Sequence, residues 1–233
     1  MPSRFSSRSE AGRLVAARLR EYGGRRDVVV LALPTGALAV GAALAAVLDA
    51  PLDVVVVRRL LLPGGGGHVG SIVGGRMLLN EGLIDRLHLP RATVQNLAAV
   101  ERWECGRAEA RYREGRSPAA VVGRTVVLVD DGLADPLDLA AAARALREQG
   151  AARVVLAFPA IAQTACAVLA GSGEEVVSVE APPAADPAAW YADRGTLDEP
   201  QVRALLAPRA SRPGPEGPRG PGAFPGSKFQ FPS

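Results

Sequence analysis

Short valine- and leucine-rich runs alternate with helical patterns along most of this chain, and the alternation limits the folds that it can adopt. Five runs are apolar at almost every position: Val28 to Leu33, Val54 to Val57, Thr125 to Val129, Val154 to Phe158 and Val176 to Val179. Consecutive apolar positions are typical of parallel strands, which are buried on both faces. We therefore predict an α/β fold with a central parallel sheet of about five strands and helices on both faces.

Apolar residues at helical spacing fill the segments around these runs. We predict helices over Arg8 to Tyr22, Ala37 to Leu48, Glu81 to Leu87, Ala92 to Glu114, Leu137 to Gln149, Ala162 to Leu169 and Glu199 to Leu206. Leu61 to Gly75 is predicted to be a glycine-rich loop with little local structure, and Met77 to Leu79 a short strand. Ligands of such folds bind at the carboxyl ends of the strands.

The C-terminal end differs in composition from the rest of the chain. Residues 209–233 are rich in proline and glycine, so we predict a disordered tail after one domain at residues 1–208. The tail holds four basic residues and one acid, which accounts for the net charge of +3. Residues 1–208 are thus formally neutral, and nucleic-acid binding is not expected.

The cysteines and the hydropathy of the chain indicate in which cellular compartment the protein is expected. Cys105 and Cys166 are far apart in sequence, so neither a disulfide framework nor a cysteine metal site is expected. No apolar run is long enough to cross a bilayer, and the first residues contain no apolar signal segment. We therefore expect a cytoplasmic protein without a membrane partner.

Two adjacent acids, Asp130 and Asp131, follow the third apolar run directly. Burying two unpartnered carboxylates is costly, so we expect them at the open carboxyl edge of the sheet. There they can accept hydrogen bonds from ligand hydroxyls or hold a hydrated magnesium ion. The alternative is an ordinary strand end with two solvated acids that help to cap a turn.

The segment VVLVDDGLA, residues 126–134, resembles the start of the phosphoribosyl pyrophosphate motif of type I phosphoribosyltransferases. In that family an apolar strand and two acids are followed by a short spacer and Thr-Gly-x-Thr. The resemblance extends to FSSRSEAGRLVAARL, LALPTGALAV, VVVVRRLLLPG, GSIVGGRMLLN and WYAD. It implies a small hood or flexible-loop region beside the sheet, and a possible homodimer.

The resemblance also implies a role for each matching residue. Asp130 and Asp131 are the expected catalytic pair, which binds the ribose hydroxyls and assists Mg²⁺. The loop that binds the 5′-phosphate corresponds to Gly132, Leu133, Ala134, Asp135 and Asp138. Contacts to pyrophosphate are expected from Thr35 and Gly36 after the first strand, and from Arg58 and Arg59 after the second. For Thr35 and Gly36 the alternative is a plain turn, and for the arginines an exposed surface pair.

The phosphate loop departs from the family pattern. Asp135, Pro136, Leu137 and Asp138 stand where Thr-Gly-x-Thr is expected, so both hydroxyls and the glycine are missing. At about 5 Å and an effective dielectric of about 20, each carboxylate repels a phosphate charge by roughly 3 kcal/mol. The same residues suit a helix start, with Asp135 as N-cap, Pro136 in the first position and Asp138 in the first turn.

Two functions follow from the resemblance and its departures. An active protein transfers ribose 5-phosphate from phosphoribosyl pyrophosphate to a nitrogenous base or related acceptor, and releases pyrophosphate. The alternative is a catalytically impaired relative that acts as a binding or regulatory protein. His68, in the glycine-rich loop, is either a mobile acid or base or simply exposed.

Overall fold

A five-stranded parallel sheet forms the centre of the computed structural model, which describes residues 4–207 except 35, 172, 183–186, 194 and 196. The predicted disordered tail, 209–233, lies outside the described residues. The strands are β1 (Val28–Ala32), β2 (Leu52–Val54), β6 (Thr125–Val129), β7 (Arg153–Ala160) and β8 (Glu175–Glu180), in the order β2-β1-β6-β7-β8. The predicted parallel α/β sheet is therefore confirmed, and Thr125–Val129 has the predicted bounds.

Helices cover both faces of this sheet. They are α1 (Arg8–Arg18), α2 (Gly36–Leu48), α5 (Pro136–Glu148), α6 (Gln163–Ala170) and α7 (Glu199–Leu206). α1 packs on α2, and α5 packs on α6. All residues of β1 and β6 are buried, because helices lie over the strands on both sides. None of the helices in the described ranges combines the length and the apolar character needed to cross a bilayer.

A second, smaller sheet lies between β2 and β6 in the chain and forms a hood. It is antiparallel, with β3 (Val57–Leu61), β4 (His68–Val73) and β5 (Arg76–Leu79), and is followed by α3 (Glu81–Arg86) and α4 (Arg91–Arg113). The hood has its own apolar cluster, to which β4 contributes Val69 and Ile72 and α4 contributes Val94 and Cys105.

Two sequence predictions in this region are wrong. The run Val54–Val57 is not one strand, because β2 ends at Val54 and β3 begins at Val57 in the other sheet. The run is apolar because Val54 and Val55 belong to the main core while Val56 belongs to the hood cluster. The glycine-rich segment Leu61–Gly75 is not mainly a loop, because His68–Val73 forms a strand that is mostly buried.

Candidate functional site at the carboxyl end of β6

The acid pair Asp130 and Asp131 follows β6, the middle strand of the parallel sheet. Strand order reverses between β1 and β6, and in open α/β sheets the crevice at such a reversal is the usual ligand site. The pair lies at the expected edge of the sheet. Both residues are nevertheless buried, with 2% of Asp130 and 5% of Asp131 exposed. Their charges must therefore be balanced by protein groups.

Asp130 is held by the loop that follows it. Its Oδ2 accepts hydrogen bonds from the amides of Gly132, at 2.7 Å, and Ala134, at 3.1 Å. Gly132 has a φ of 89°, which glycine adopts without strain and which turns the loop back over the carboxylate. Burial, and then the charge of Asp131, raise the pKa of Asp130 to about 7, although the amide hydrogen bonds oppose the rise.

Asp131 is held by a different set of groups. Its Oδ2 accepts a hydrogen bond from Nε of Arg8 at 3.0 Å, and its backbone carbonyl accepts one from the Tyr191 hydroxyl at 2.9 Å. Gly36, the first residue of α2, lies against the same carboxylate. A Cβ at position 36 would be 2.2 Å from Oδ2 of Asp131, so only glycine fits there.

Arg8 and Tyr191 come from opposite ends of the chain and complete the surroundings of the acid pair. Nη1 of Arg8 donates to the carbonyls of Gly195, at 2.9 Å, and Asp193, at 3.3 Å. The guanidinium carbon lies 5.0 Å from the centre of the Tyr191 ring. Burial raises the pKa of Tyr191 above its usual range, so its hydroxyl keeps its proton and donates. Neither residue was among the sequence candidates.

The loop after the acid pair forms a self-capped helix start, as the alternative interpretation of its sequence predicted. Asp135 is the N-cap of α5, and its Oδ1 accepts a hydrogen bond from the Leu137 amide at 2.9 Å. Pro136 is the first helical residue and Asp138 lies in the first turn. A carboxylate of the chain thus already bonds an amide at this helix start, where anions are favoured.

The two arginines of β3 both form ion pairs with acids of the protein. Nε of Arg59 lies 2.9 and 2.8 Å from the two carboxylate oxygens of Asp138, and its Nη2 is 3.4 Å from Asp135. Arg58 pairs with Glu101 of α4 at 2.8 Å. Arg59 therefore lies at the candidate phosphate loop, whereas Arg58 is directed to the hood helix.

Comparison with known proteins identifies the family. The sequence profile of the phosphoribosyl transferase domain matches residues 7–178. The chain belongs to this phosphoribosyltransferase family. The predicted membership is therefore confirmed, and the matched range includes the hood, the acid pair and the parallel sheet as far as the middle of β8.

Relatives of this phosphoribosyltransferase domain agree with the assignment. Two Mycobacterium tuberculosis proteins, named "Putative phosphoribosyl transferase" Rv0571c and MT0597, are each 37% identical over 180 residues. The alignments cover 76% of this chain but 40% of each relative, so the chain spans less than half of their length. The crystal structure of TT1426 from Thermus thermophilus superimposes with a TM-score of 0.77 at 34% identity, covering 87% of this chain and 97% of that protein.

A cavity of about 350 Å³ opens beside Asp130 in this phosphoribosyltransferase domain. It is lined by Gly132 and Ala134 of the loop, by Pro136 of α5, by Phe158 of β7 and by Thr164 of α6. Asp138 is largely buried and Asp135 half-buried at the entrance of α5, whereas Leu133 is exposed. Gly36 touches Asp131, and Thr35 lies outside the described residues. The binding roles of all these residues stay predictions.

A second cavity, of about 550 Å³, lies between the hood and α5. His68 and Ser71 of β4 face it, together with Arg144 and Arg147 of α5. Nε2 of His68 lies 3.1 Å from Oγ of Ser71, so His68 is a half-buried hood residue and does not line the cavity beside Asp130.

Magnesium, which the family implies, does not fit the acid pair as it stands. Mg²⁺ requires an octahedral set of oxygens, but Asp131 Oδ2 already pairs with Arg8 and Asp130 Oδ2 with two amides. Among the described residues, no group of three or more acidic, histidine or cysteine side chains could hold a metal ion. The guanidinium of Arg8 would repel a divalent cation at the same carboxylate oxygen.

Proposed function

We propose that this domain binds the ribose of phosphoribosyl pyrophosphate beside Asp130 and transfers the ribose 5-phosphate group to a nitrogenous base, releasing pyrophosphate. One observation supports this proposal above the others. A buried carboxylate lies at the reversal of strand order and lines a cavity of about 350 Å³. No step of the proposal is assigned to a metal ion, because the acid pair does not fit one.

Asp130 suits the chemistry of this transfer. Its carboxylate can accept a hydrogen bond from a ribose hydroxyl at the cavity wall. In glycosyl transfer the sugar ring gains positive charge in the transition state. When Asp130 is ionised, its negative charge in a buried site stabilises that transition state without reorganisation of solvent. Ligand binding that favours the ionised form would also lower the raised pKa of Asp130.

The 5′-phosphate of the ligand would meet negative charge at the start of α5. Asp135 and Asp138 stand where the family places hydroxyls, and Arg59 is engaged by both acids. A bound phosphate must compete with these carboxylates for Arg59 and for the amides of α5. We therefore expect weak binding of phosphoribosyl pyrophosphate, weaker by about tenfold or more than with the family loop.

The same ion pairs favour a second candidate, a catalytically impaired relative with a binding or regulatory role. In that protein Asp138 permanently takes the place of a ligand anion at Arg59. A neutral sugar or nucleoside would then suit the cavity better than a sugar phosphate, because it does not meet the repulsion from Asp135 and Asp138.

Calorimetric titration with phosphoribosyl pyrophosphate distinguishes the two candidates. The unmodified chain is compared with D130N, with the exposed-acid control D85N, and with a loop variant that carries Thr-Gly-Ala-Thr at positions 135–138. If the domain is a phosphoribosyltransferase, the unmodified chain and D85N should bind phosphoribosyl pyrophosphate weakly. D130N should lose this binding, and the loop variant should bind more tightly. A folded loop variant that shows no binding heat would overturn the proposal.

A further inference from the structure

We propose that Arg8 is the resident cation of the acid pair, in the place that a divalent metal would take beside Asp131. This inference rests on the proposed function in one respect, namely that the ligand binds at this acid pair. The geometry of Arg8 and Asp131 carries it independently of which sugar compound binds.

The Arg8–Asp131 pair is built into the protein. The side chains are only 11% and 6% exposed, and Nε lies 3.0 Å from Oδ2. Because arginine side chains are always charged in proteins, the guanidinium supplies a positive charge at the carboxylate of Asp131. A buried pair of this kind resists exchange with solvent ions, because removing one partner leaves an uncompensated charge.

The guanidinium is also fixed on its other sides. Nη1 donates to the carbonyls of Asp193 and Gly195, and the planar group lies over the ring of Tyr191. These contacts connect the first turn of α1 with residues that follow β8. They also orient the N–H groups of Arg8 before any ligand binds. A flexible surface arginine would not be held in this way.

The Gly36 backbone and the Arg8 side chain both crowd the oxygen Oδ2 of Asp131. The ideal Cβ position of Gly36 lies 2.2 Å from Oδ2 of Asp131 and 2.8 Å from Nε of Arg8. The backbone of α2 therefore closes one side of the pair, and Arg8 closes another. We therefore expect a cation to bind at Oδ2 of Asp131 more readily once the guanidinium of Arg8 is removed.

Titration with Mn²⁺ alone, followed by electron paramagnetic resonance, tests this inference without any sugar ligand. We compare the unmodified chain with R8Q, R8K, the double variant R8Q/D131N and R13Q, which removes an exposed arginine of the same helix. The unmodified chain, R8K and R13Q should show no saturable binding at millimolar Mn²⁺. R8Q should bind at least about tenfold more tightly, and R8Q/D131N should lose that gain.

Saturable Mn²⁺ binding by the unmodified chain that D131N removes would overturn the proposal, and this measurement does not depend on any Arg8 variant. A folded R8Q without added affinity would also overturn it. Because R8Q loses a buried partner, its fold is checked by circular dichroism, and a rise of its melting temperature with Mn²⁺ is a second readout. Failure of the sugar titration would reject the proposed function and leave these outcomes unchanged.

Discussion

Asp130 and Asp131 are neighbours in the chain with opposite environments. Asp131 has a cation within hydrogen-bonding distance, whereas the partners of the Asp130 carboxylate among the described residues are backbone amides. Desolvation therefore dominates at Asp130 and raises its pKa to about 7. The pair thus combines one acid that is bound to a cation with one that can change its protonation near neutral pH.

D130N should change the pH dependence of stability. A carboxyl whose pKa is about 7 when folded and about 4 when unfolded favours the folded state at low pH. As the pH rises from about 4 to 7, the unfolded chain loses its proton first, and the free energy of unfolding falls. The uncharged side chain in D130N does not lower the free energy of unfolding in this way. D130N should therefore be more stable than the unmodified chain at pH 8, by no more than about 4 kcal/mol.

Urea unfolding at several pH values checks this prediction, with D85N as the matched control on an exposed acid of α3. The difference between D130N and the unmodified chain should grow between about pH 4 and 7 and then level off. A constant difference across that range would show that the pKa of Asp130 is not raised in the folded protein.

Sequence reasoning found the acid pair and the capping role of Asp135 but missed Arg8 and Tyr191. The acids and the cap are local features, readable from a strand followed by polar residues. Arg8 meets Asp131 across 123 positions of sequence, and no local pattern indicates that contact. The available signal was that Arg8 lies in the opening segment and Tyr191 in WYAD, two segments that carried the family resemblance.

At the scale of elements, β3 and α5 are joined by the ion pair of Arg59 and Asp138. The Arg59 side chain is 39% exposed and that of Asp138 is 13% exposed, so solvent weakens the pair only in part. The contact links the hood to the helix that starts at the candidate phosphate loop. Its strength therefore affects how readily a ligand anion can take the place of Asp138.

A double-mutant cycle on R59Q and D138N measures this link. Nε and Nη2 of Arg59 both donate to the Asp138 carboxylate, and this bidentate geometry predicts a coupling free energy of about 1 kcal/mol in urea unfolding. The more exposed pair of Arg144 and Glu148, both in α5, is the comparison and should give about 0.3–0.5 kcal/mol. Equal coupling in the two cycles would contradict a special role for Arg59.

Four of the five strands of the parallel sheet could be predicted because their apolar runs pack into a single core, whereas the run at β2 is divided between two clusters. The hood was harder to predict for a physical reason. β4 follows four consecutive glycines at positions 64–67 and contains a further glycine, Gly70, between its buried residues Val69 and Ile72. Glycine content therefore indicated a loop, while packing against α4 and pairing with β3 and β5 produced a strand.

At the scale of the whole molecule, a buried ion pair between Arg113 and Asp53 connects the hood with the parallel sheet. Nε of Arg113, in the last turn of α4, lies 3.1 and 3.0 Å from the carboxylate oxygens of Asp53 in β2. Nη2 of Arg113 donates to the Val54 carbonyl at 2.7 Å, and Asp53 accepts the Ala119 amide at 2.8 Å. The chain thus leaves the sheet at β2 and returns past the same aspartate after the hood.

R113M should destabilise the protein by about 3–5 kcal/mol, because it leaves Asp53 buried without a charged partner. The double variant R113M/D53N should recover part of this loss, since it also removes the uncompensated charge. Urea unfolding of both variants measures the two costs, and R111M, on the exposed side of the same helical turn, controls for the loss of an arginine. If the double variant is no more stable than R113M, the cost comes from lost packing of the long side chain and not from the charge left on Asp53.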